Sequence, residues 1–175
     1  FGNPSSLYRV GRRAKDALDK ARETVAGILN CKPEELIFTG GGTEAINLAI
    51  FGAARMYGQP ATYNLQPTIS RGHLITSKIE HHAVLHSVEA LGKEGFEVTY
   101  LDVDEYGLIN PEDVRKALRP DTILVSIMYA NNEIGTIEPI EEIGKVVKEY
   151  REEKKKLVAS SGKPEANEKT PFFHS

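Results

Sequence analysis

The chain has 175 residues, of which 40% are hydrophobic and 27% charged, a composition typical of a folded globular protein and unlike a disordered or fibrous one. Its 22 lysines and arginines against 25 aspartates and glutamates give a net charge of −3, which argues against binding to nucleic acid or an anionic membrane. The single cysteine, Cys31, excludes an internal disulfide framework, and no apolar run in the sequence is long enough to span a membrane.

The first predicted element is an amphipathic helix. Apolar residues recur at helical spacing between Val10 and Leu29, a pattern that buries one face of a helix. Ser5 or Ser6 is the expected N-cap, and Asn30 stands near the expected end.

A strand, a glycine turn and a second helix are predicted next. Residues 36–39 form a short apolar run typical of a strand, and three glycines follow at 40–42. Residues 43–50 have helical character. The polar segment 58–72 contains two prolines and predicts a surface loop or insertion.

The second half of the chain alternates strands with helices. Asn110 and Pro111 supply an N-cap and a proline at the first helical position, which together predict a helix start. A charged stretch up to residue 170 predicts a solvated loop. The predicted strands are 73–77, 97–101, 122–128 and 171–175, and the predicted helices are 83–92, 111–118 and 139–154.

This alternation predicts an α/β fold of three layers, with a mostly parallel sheet flanked by helices on both faces. In such folds ligands bind beyond the carboxyl ends of the strands. Three connections that follow predicted strands are therefore the candidates for carrying chemistry.

The first connection is the glycine turn that leads through Gly42 and Thr43 into a helix. Glycines allow a ligand to approach the backbone, and the N–H groups at a helix start favour an anion such as phosphate. The turn lacks the endings of the common nucleotide-binding loops. A plain strand-to-helix turn capped by Thr43 explains it equally well.

The second connection, residues 80–86, holds three of the five histidines. His82 and His86 are spaced to face one side of a helix, where they could bind zinc, although the usual accompanying glutamate is absent from that spacing. They are predicted to be ordinary helix-surface or partly buried side chains, and no metal site is expected. His81 lies in the loop itself and is the candidate acid–base group or planar stacking partner.

The third connection contains Asn131 and Asn132 after the most apolar predicted strand. Their amides could bind a polar ligand, or they could turn the chain through local side-chain bonds. The residues of this loop alone leave both interpretations open.

Four motifs together resemble a known family. They are Gly2-Asn3-Pro4-Ser5-Ser6 with Gly11, the segment from Phe38 to Ala45, the segment from Ile79 to Leu85, and Asn131-Asn132-Glu133-Ile134-Gly135. Their order and spacing are similar to those of NifS/IscS-type cysteine desulfurases, in the class-V aminotransferase family, with selenocysteine lyases as close relatives. The resemblance spans essentially the whole chain.

The resemblance implies a fold-type I large domain that binds pyridoxal 5′-phosphate. Gly42 and Thr43 would hold its phosphate, His81 would stack on its ring and move protons at the substrate, and Asn132 would contact the ring oxygen or nearby substrate atoms. The implied reaction removes sulfur from L-cysteine, or selenium from L-selenocysteine, and leaves L-alanine.

The same resemblance implies that residues 1–175 are an incomplete large domain. The lysine that bonds the cofactor, the persulfide cysteine and the small C-terminal domain would lie further on, so the 175 residues alone are expected to be inactive. A homodimer, a protein that accepts sulfur or selenium, and a role in iron–sulfur cluster assembly are implied as well. A cytoplasmic location is expected, with an organelle left open because the sequence begins with Phe1.

Two alternatives stay open at this point. One is another class-V aminotransferase or lyase, against which the motif at residues 131–135 argues. The other is a non-catalytic truncated paralogue that acts as an interaction protein.

Overall fold

The computed structural model describes residues 2–58, 70–161 and 172–174. The chain divides into two compact units, residues 1–40 and residues 41–175. The smaller unit contains helix α1 (Arg9–Leu29) and a short 3-10 helix at Pro33–Glu35.

The start of α1 differs from the prediction, and its end agrees with it. Tyr8 is the N-cap and makes no side-chain capping bond, so the predicted Ser5 or Ser6 cap is wrong. Both serines belong to an earlier turn, because their backbone N–H groups donate to the side-chain and backbone oxygens of Asn3. Asn30 ends the helix with a φ of 52°, a left-handed conformation that asparagine tolerates.

The strand predicted at residues 36–39 does not form within the described part of the chain. The Leu36 backbone is extended, but its carbonyl oxygen accepts a hydrogen bond from the Arg22 guanidinium and not from a neighbouring strand. The Arg22 guanidinium also lies 5.0 Å from the centre of the Phe38 ring. An apolar extended segment becomes a strand only where a partner supplies the ladder of hydrogen bonds.

The larger unit is built on a four-stranded sheet in which every pair of neighbouring strands is parallel. The strand order is β2-β1-β3-β4. Its elements, in chain order, are α2 (Gly42–Tyr57), β1 (His73–Ser77), α3 (His82–Lys93), β2 (Glu97–Leu101), α4 (Pro111–Ala117), β3 (Thr122–Ser126), α5 (Ile140–Ser161) and β4 (Phe172–His174).

Helices cover both faces of this sheet. Leu74 of β1 and Leu124 of β3 pack into one apolar cluster with side chains of α2 and α3. The next residue of each strand, Ile75 and Val125, packs into a second cluster with α4 and α5. Because neighbouring residues of a strand point to opposite faces, the near-continuous apolar runs follow from burial on both sides. The predicted three-layer α/β fold is confirmed.

The ends of β3 and α5 differ from the prediction, and α2 runs seven residues beyond the predicted segment, to Tyr57. Strand β3 stops at Ser126, because the Met128 N–H donates to the side chain of Glu80 and leaves the ladder. Helix α5 continues to Ser161, because residues 155–161 include two lysines, a leucine and an alanine, which are good helix formers. The rest of that predicted loop, residues 162–170, and residues 59–69 of the loop predicted at 58–72 lie outside the described residues.

Within the described residues, no helix has both the length and the apolar character that crossing a membrane requires.

Candidate functional site at the carboxyl edge of the sheet

Helices α2 and α3 lie side by side and run in the same direction. Near their starts, the Ser87 hydroxyl donates to the Asn47 side-chain oxygen at 2.9 Å. Beyond their ends, Gly58 lies so close to Phe96 that a Cβ on the glycine would be 2.7 Å from the ring. Because α3 begins directly after β1, the first turns of both helices lie at the carboxyl ends of the strands.

The glycine turn forms the start of α2. Gly42 and Thr43 are its first two residues, both are exposed, and the N-cap Gly41 supplies no side-chain cap. A Cβ placed on Gly41 or Gly42 would meet no atom within 4 Å, so the space over the turn is open. The Thr43 carbonyl oxygen accepts a bond from the Asn47 side-chain nitrogen at 2.7 Å, which ties the turn to the helix contact described above.

His81 is the N-cap of α3. Its Nδ1 accepts a hydrogen bond from the Ala83 N–H at 3.1 Å, so in this arrangement Nδ1 carries no proton and the neutral ring carries its proton on Nε2. The side chain is exposed at the edge of the sheet. Its ring therefore offers a planar face and one free ring nitrogen.

His82 and His86 form a pair on the surface of α3, next to His81, whose ring centroid lies 6.3 Å from that of His82. Their rings are stacked, with centroids 5.5 Å apart, and both residues are exposed. Across the residues that the structure describes, no group of three or more histidine, cysteine or acidic side chains could hold a metal ion.

The two asparagines after β3 have different environments. Asn131 is buried, and its side-chain oxygen accepts from the N–H groups of Glu133 and Ile134, which closes the turn. Asn132 is exposed at the same edge. Of the two interpretations, the chain-turning role therefore applies to Asn131. Asn132 faces outward.

Glu80 was given no role by the sequence, yet it is central to this edge. Its side chain is buried, and one carboxyl oxygen, Oε1, accepts from the Ser77 hydroxyl at 3.0 Å and from the Met128 N–H at 2.8 Å. Burial raises the pKa of Glu80 to about 7, with Glu138 adding a smaller repulsion. A carboxylate three positions after the end of a fully buried strand, within the connection to the next helix, is the signal that could have identified it.

These contacts bring the three connections to one edge of the sheet. The Asn47–Ser87 bond joins the starts of α2 and α3, and Glu80 joins the β1–α3 connection to the segment after β3. The edge thus presents a helix start with open space above two glycines, an imidazole ring and a free amide. That combination suits a planar ligand that carries an anionic group.

The family model described as aminotransferase class-V matches residues 1–155. The chain belongs to this family. The four motifs and the parallel sheet are both in keeping with that membership.

Curated relatives in the family include enzymes named cysteine desulfurase IscS. The chain is 52% identical to the one from Dictyoglomus turgidum, over 86% of this chain and 36% of the relative, and 53% identical to one from Clostridium botulinum, over 85% and 35%. It spans about a third of the length of these relatives.

Solved structures agree in fold. A NifS-like protein superposes with a TM-score of 0.77 at 39% identity, over 87% of this chain and 39% of that one. A structure described as SspA in complex with cysteine gives a TM-score of 0.76 at 42% identity, over 86% of this chain and 40% of that one.

Proposed function

We propose that residues 1–175 are part of the large domain of a pyridoxal-phosphate-dependent enzyme that removes sulfur from L-cysteine and leaves L-alanine. The observation that carries the proposal is the meeting of the glycine turn, His81 and the Asn132 loop at one edge of the sheet. Relatives named cysteine desulfurase, about half identical in sequence, support the same reaction.

The residues at this edge fit the cofactor. Its phosphate would lie on the start of α2, where Gly42 and Thr43 are exposed and the absence of a Cβ on Gly41 and Gly42 leaves room for a ligand. The ring of His81 is flat and exposed, as a stacking partner must be, and Asn132 can donate to a ring oxygen or to the substrate.

Pyridoxal phosphate, when bound, supplies an electron sink for the bonds of the substrate's α-carbon. The chain's own contribution is orientation and proton handling. Because Nδ1 of His81 is occupied by the α3 cap, Nε2 is the nitrogen that can hold or move a proton at the substrate. The buried Glu80 precedes His81 in the sequence, and its bonds to Ser77 and Met128 hold the loop of His81 in place.

L-cysteine is the substrate we favour, since a solved relative at 42% identity is described in complex with cysteine. L-selenocysteine, a homodimer, a protein acceptor for the sulfur or selenium, a part in iron–sulfur cluster assembly and a cytoplasmic location stay predictions that rest on the resemblance.

The test uses the longest natural polypeptide that contains this sequence. With added pyridoxal phosphate it should become coloured and convert L-cysteine to equal amounts of L-alanine and sulfide in the presence of a thiol, with no keto acid required. Turnover that depends on a keto acid would instead identify an aminotransferase. A protein that binds no cofactor and produces no alanine from cysteine or selenocysteine would support the non-catalytic alternative.

A further inference from the structure

The connection after β1 and the segment after β3 are joined by two buried side chains that reach in opposite directions. Glu80 extends from the first connection to the backbone N–H of Met128, at 2.8 Å. Asn131 extends from the second segment back to the carbonyl oxygen of Ile79, at 2.9 Å. We call this pair of crossing contacts the Glu80–Asn131 clasp.

Burial makes the clasp strong. Glu80 is 6% exposed and Asn131 is 8% exposed, so water does not readily replace either bond. A buried donor or acceptor that loses its partner costs about 1–3 kcal/mol, which keeps both loops in the arrangement that satisfies these groups.

The clasp lies one residue away from two of the residues assigned to ligand binding, His81 and Asn132. His81 follows Glu80, and Asn132 follows Asn131, and both of these second residues are exposed at the edge. Neither clasp residue needs to touch a ligand, because fixing the backbone at positions 80 and 131 fixes the places from which His81 and Asn132 project.

We propose that Glu80 and Asn131 are positioning residues, which set the separation of the His81 ring and the Asn132 amide and thereby the affinity for pyridoxal phosphate. This inference rests on the proposed function and adds to it two residues outside the ligand contacts. The sequence motifs contain both residues, but only the structure shows that they contact each other's loops.

Four substitutions in the full-length protein separate positioning from general folding. Glu80→Ala removes both accepted bonds, whereas Glu80→Gln retains an oxygen that can accept them. Asn131→Asp keeps the oxygen that closes the local turn but lacks the N–H that reaches Ile79. Glu89→Ala is the matched control, because Glu89 lies on α3, is exposed and pairs with Lys93.

The first measurement is the dissociation constant of pyridoxal phosphate, titrated by absorbance. Glu80→Ala and Asn131→Asp should each weaken binding about tenfold, which corresponds to about 1.4 kcal/mol and lies within the cost of leaving a buried group without its partner. Glu80→Gln and Glu89→Ala should stay within about twofold of the parent protein. The double variant Glu80→Ala with Asn131→Asp should lose less than the product of the two single losses, because both changes open one clasp.

The second measurement is made without cofactor. Nitrogen-15 NMR of the His81 ring and the Asn132 side-chain amide should show shifted signals in Glu80→Ala and Asn131→Asp, and parent-like signals in Glu89→Ala.

The outcomes distinguish this inference from the proposed function. If the parent binds pyridoxal phosphate and both clasp variants bind it equally well, the positioning role is wrong and the function stands. If the parent does not bind it, the proposed function fails, and unchanged NMR signals of His81 and Asn132 in the clasp variants would then overturn the positioning role as well.

Discussion

His81 uses one ring nitrogen, Nδ1, to cap α3, and leaves Nε2 available for the proton transfer proposed above. Its Nδ1 caps α3 through the Ala83 N–H, and this bond requires that Nδ1 carries no proton. A substitution that keeps a capping acceptor but removes the imidazole can therefore separate the structural role of His81 from its proposed catalytic role.

The first prediction compares two substitutions of this residue. Both His81→Ala and His81→Asn should lower kcat/KM by about 100-fold or more, because each removes the imidazole. Only His81→Ala should lower the free energy of unfolding, by about 1 kcal/mol, since asparagine can accept the capping bond. Steady-state assays and denaturant titrations measure the two effects.

His86→Ala is the control for this prediction, because His86 is an exposed residue of the same helix. Its kcat/KM should stay within about twofold of the parent value. Equal losses in the His81 and His86 variants would contradict the assignment of His81.

The second prediction concerns pH and Glu80. Burial raises the pKa of Glu80 from its ordinary value of 4.5 to about 7 in the folded chain. As the pH rises above 4.5, the Glu80 carboxyl therefore loses its proton in the unfolded chain before it does so in the folded chain. Glu80 therefore lowers the free energy of unfolding as the pH rises from about 4.5 to 7, by an amount on the order of 3 kcal/mol. Glu80→Gln should remove this decline in denaturant titrations performed across that range.

His73 provides a control of opposite sign. Its ring is buried between the hydroxyls of Thr122 and Thr99, and burial lowers its pKa to about 4. The unfolded chain binds this proton first as the pH falls below 6.5, so His73 lowers stability toward acid. His73→Gln should weaken that acid loss, and a Glu80→Gln variant with the same pH profile as His73→Gln would contradict both assignments.

At the scale of elements, the sequence predicts strands well where both faces are buried. The bounds of β1 are as predicted, because its five residues are fully buried and flanked by polar turns. Those of β2 agree too, although its middle is only half-buried. Residues 36–39 have a similar apolar pattern and fail, since forming a strand depends on a partner that local sequence does not reveal.

The candidate site shows the same division. The exposed residues Gly42, Thr43 and His81 could be selected from turn chemistry, whereas Asn132 was selected through the family resemblance, because its loop alone leaves both interpretations open. The part of the site made by Glu80 and Asn131 could not be predicted, since its contacts join residues far apart in the chain. A separation of 48 positions lies between Glu80 and Met128, and one of 52 positions between Ile79 and Asn131. The roles of Thr43, His81 and Asn132 as cofactor contacts stay predictions.

The third prediction concerns the start of α4. The side-chain oxygen of Asn110 accepts from the Glu112 N–H at 3.0 Å, as the sequence predicted for this N-cap. Asn110→Ala should lower the free energy of unfolding by about 1 kcal/mol, measured by denaturant titration, and Asn110→Asp should have little effect. A loss of equal size in both variants would show that the cap contributes nothing specific.

At the scale of the whole molecule, parallel strands place all their carboxyl ends at the same edge of the sheet, which is where the candidate site lies. A ligand bound there, as proposed, would contact the connections of α2, α3 and β3 at once. Its binding energy should therefore add to the stability of the folded larger unit.

The fourth prediction follows from this linkage. Pyridoxal phosphate at 100 times its dissociation constant should raise the free energy of unfolding by about 2.7 kcal/mol, seen as a higher melting temperature of the full-length protein. Pyridoxal, which lacks the phosphate, should give a much smaller rise at the same concentration, because the α2 start would be left without its anion. Equal shifts with both compounds would argue against a phosphate site.

The most direct measurement is a crystal structure of the full-length protein with pyridoxal phosphate. We expect the phosphate within hydrogen-bonding distance of the backbone at Gly42 and Thr43, the ring against His81, and the Asn132 amide in contact with the cofactor or substrate. A cofactor bound away from the start of α2, or out of contact with His81, would contradict the account.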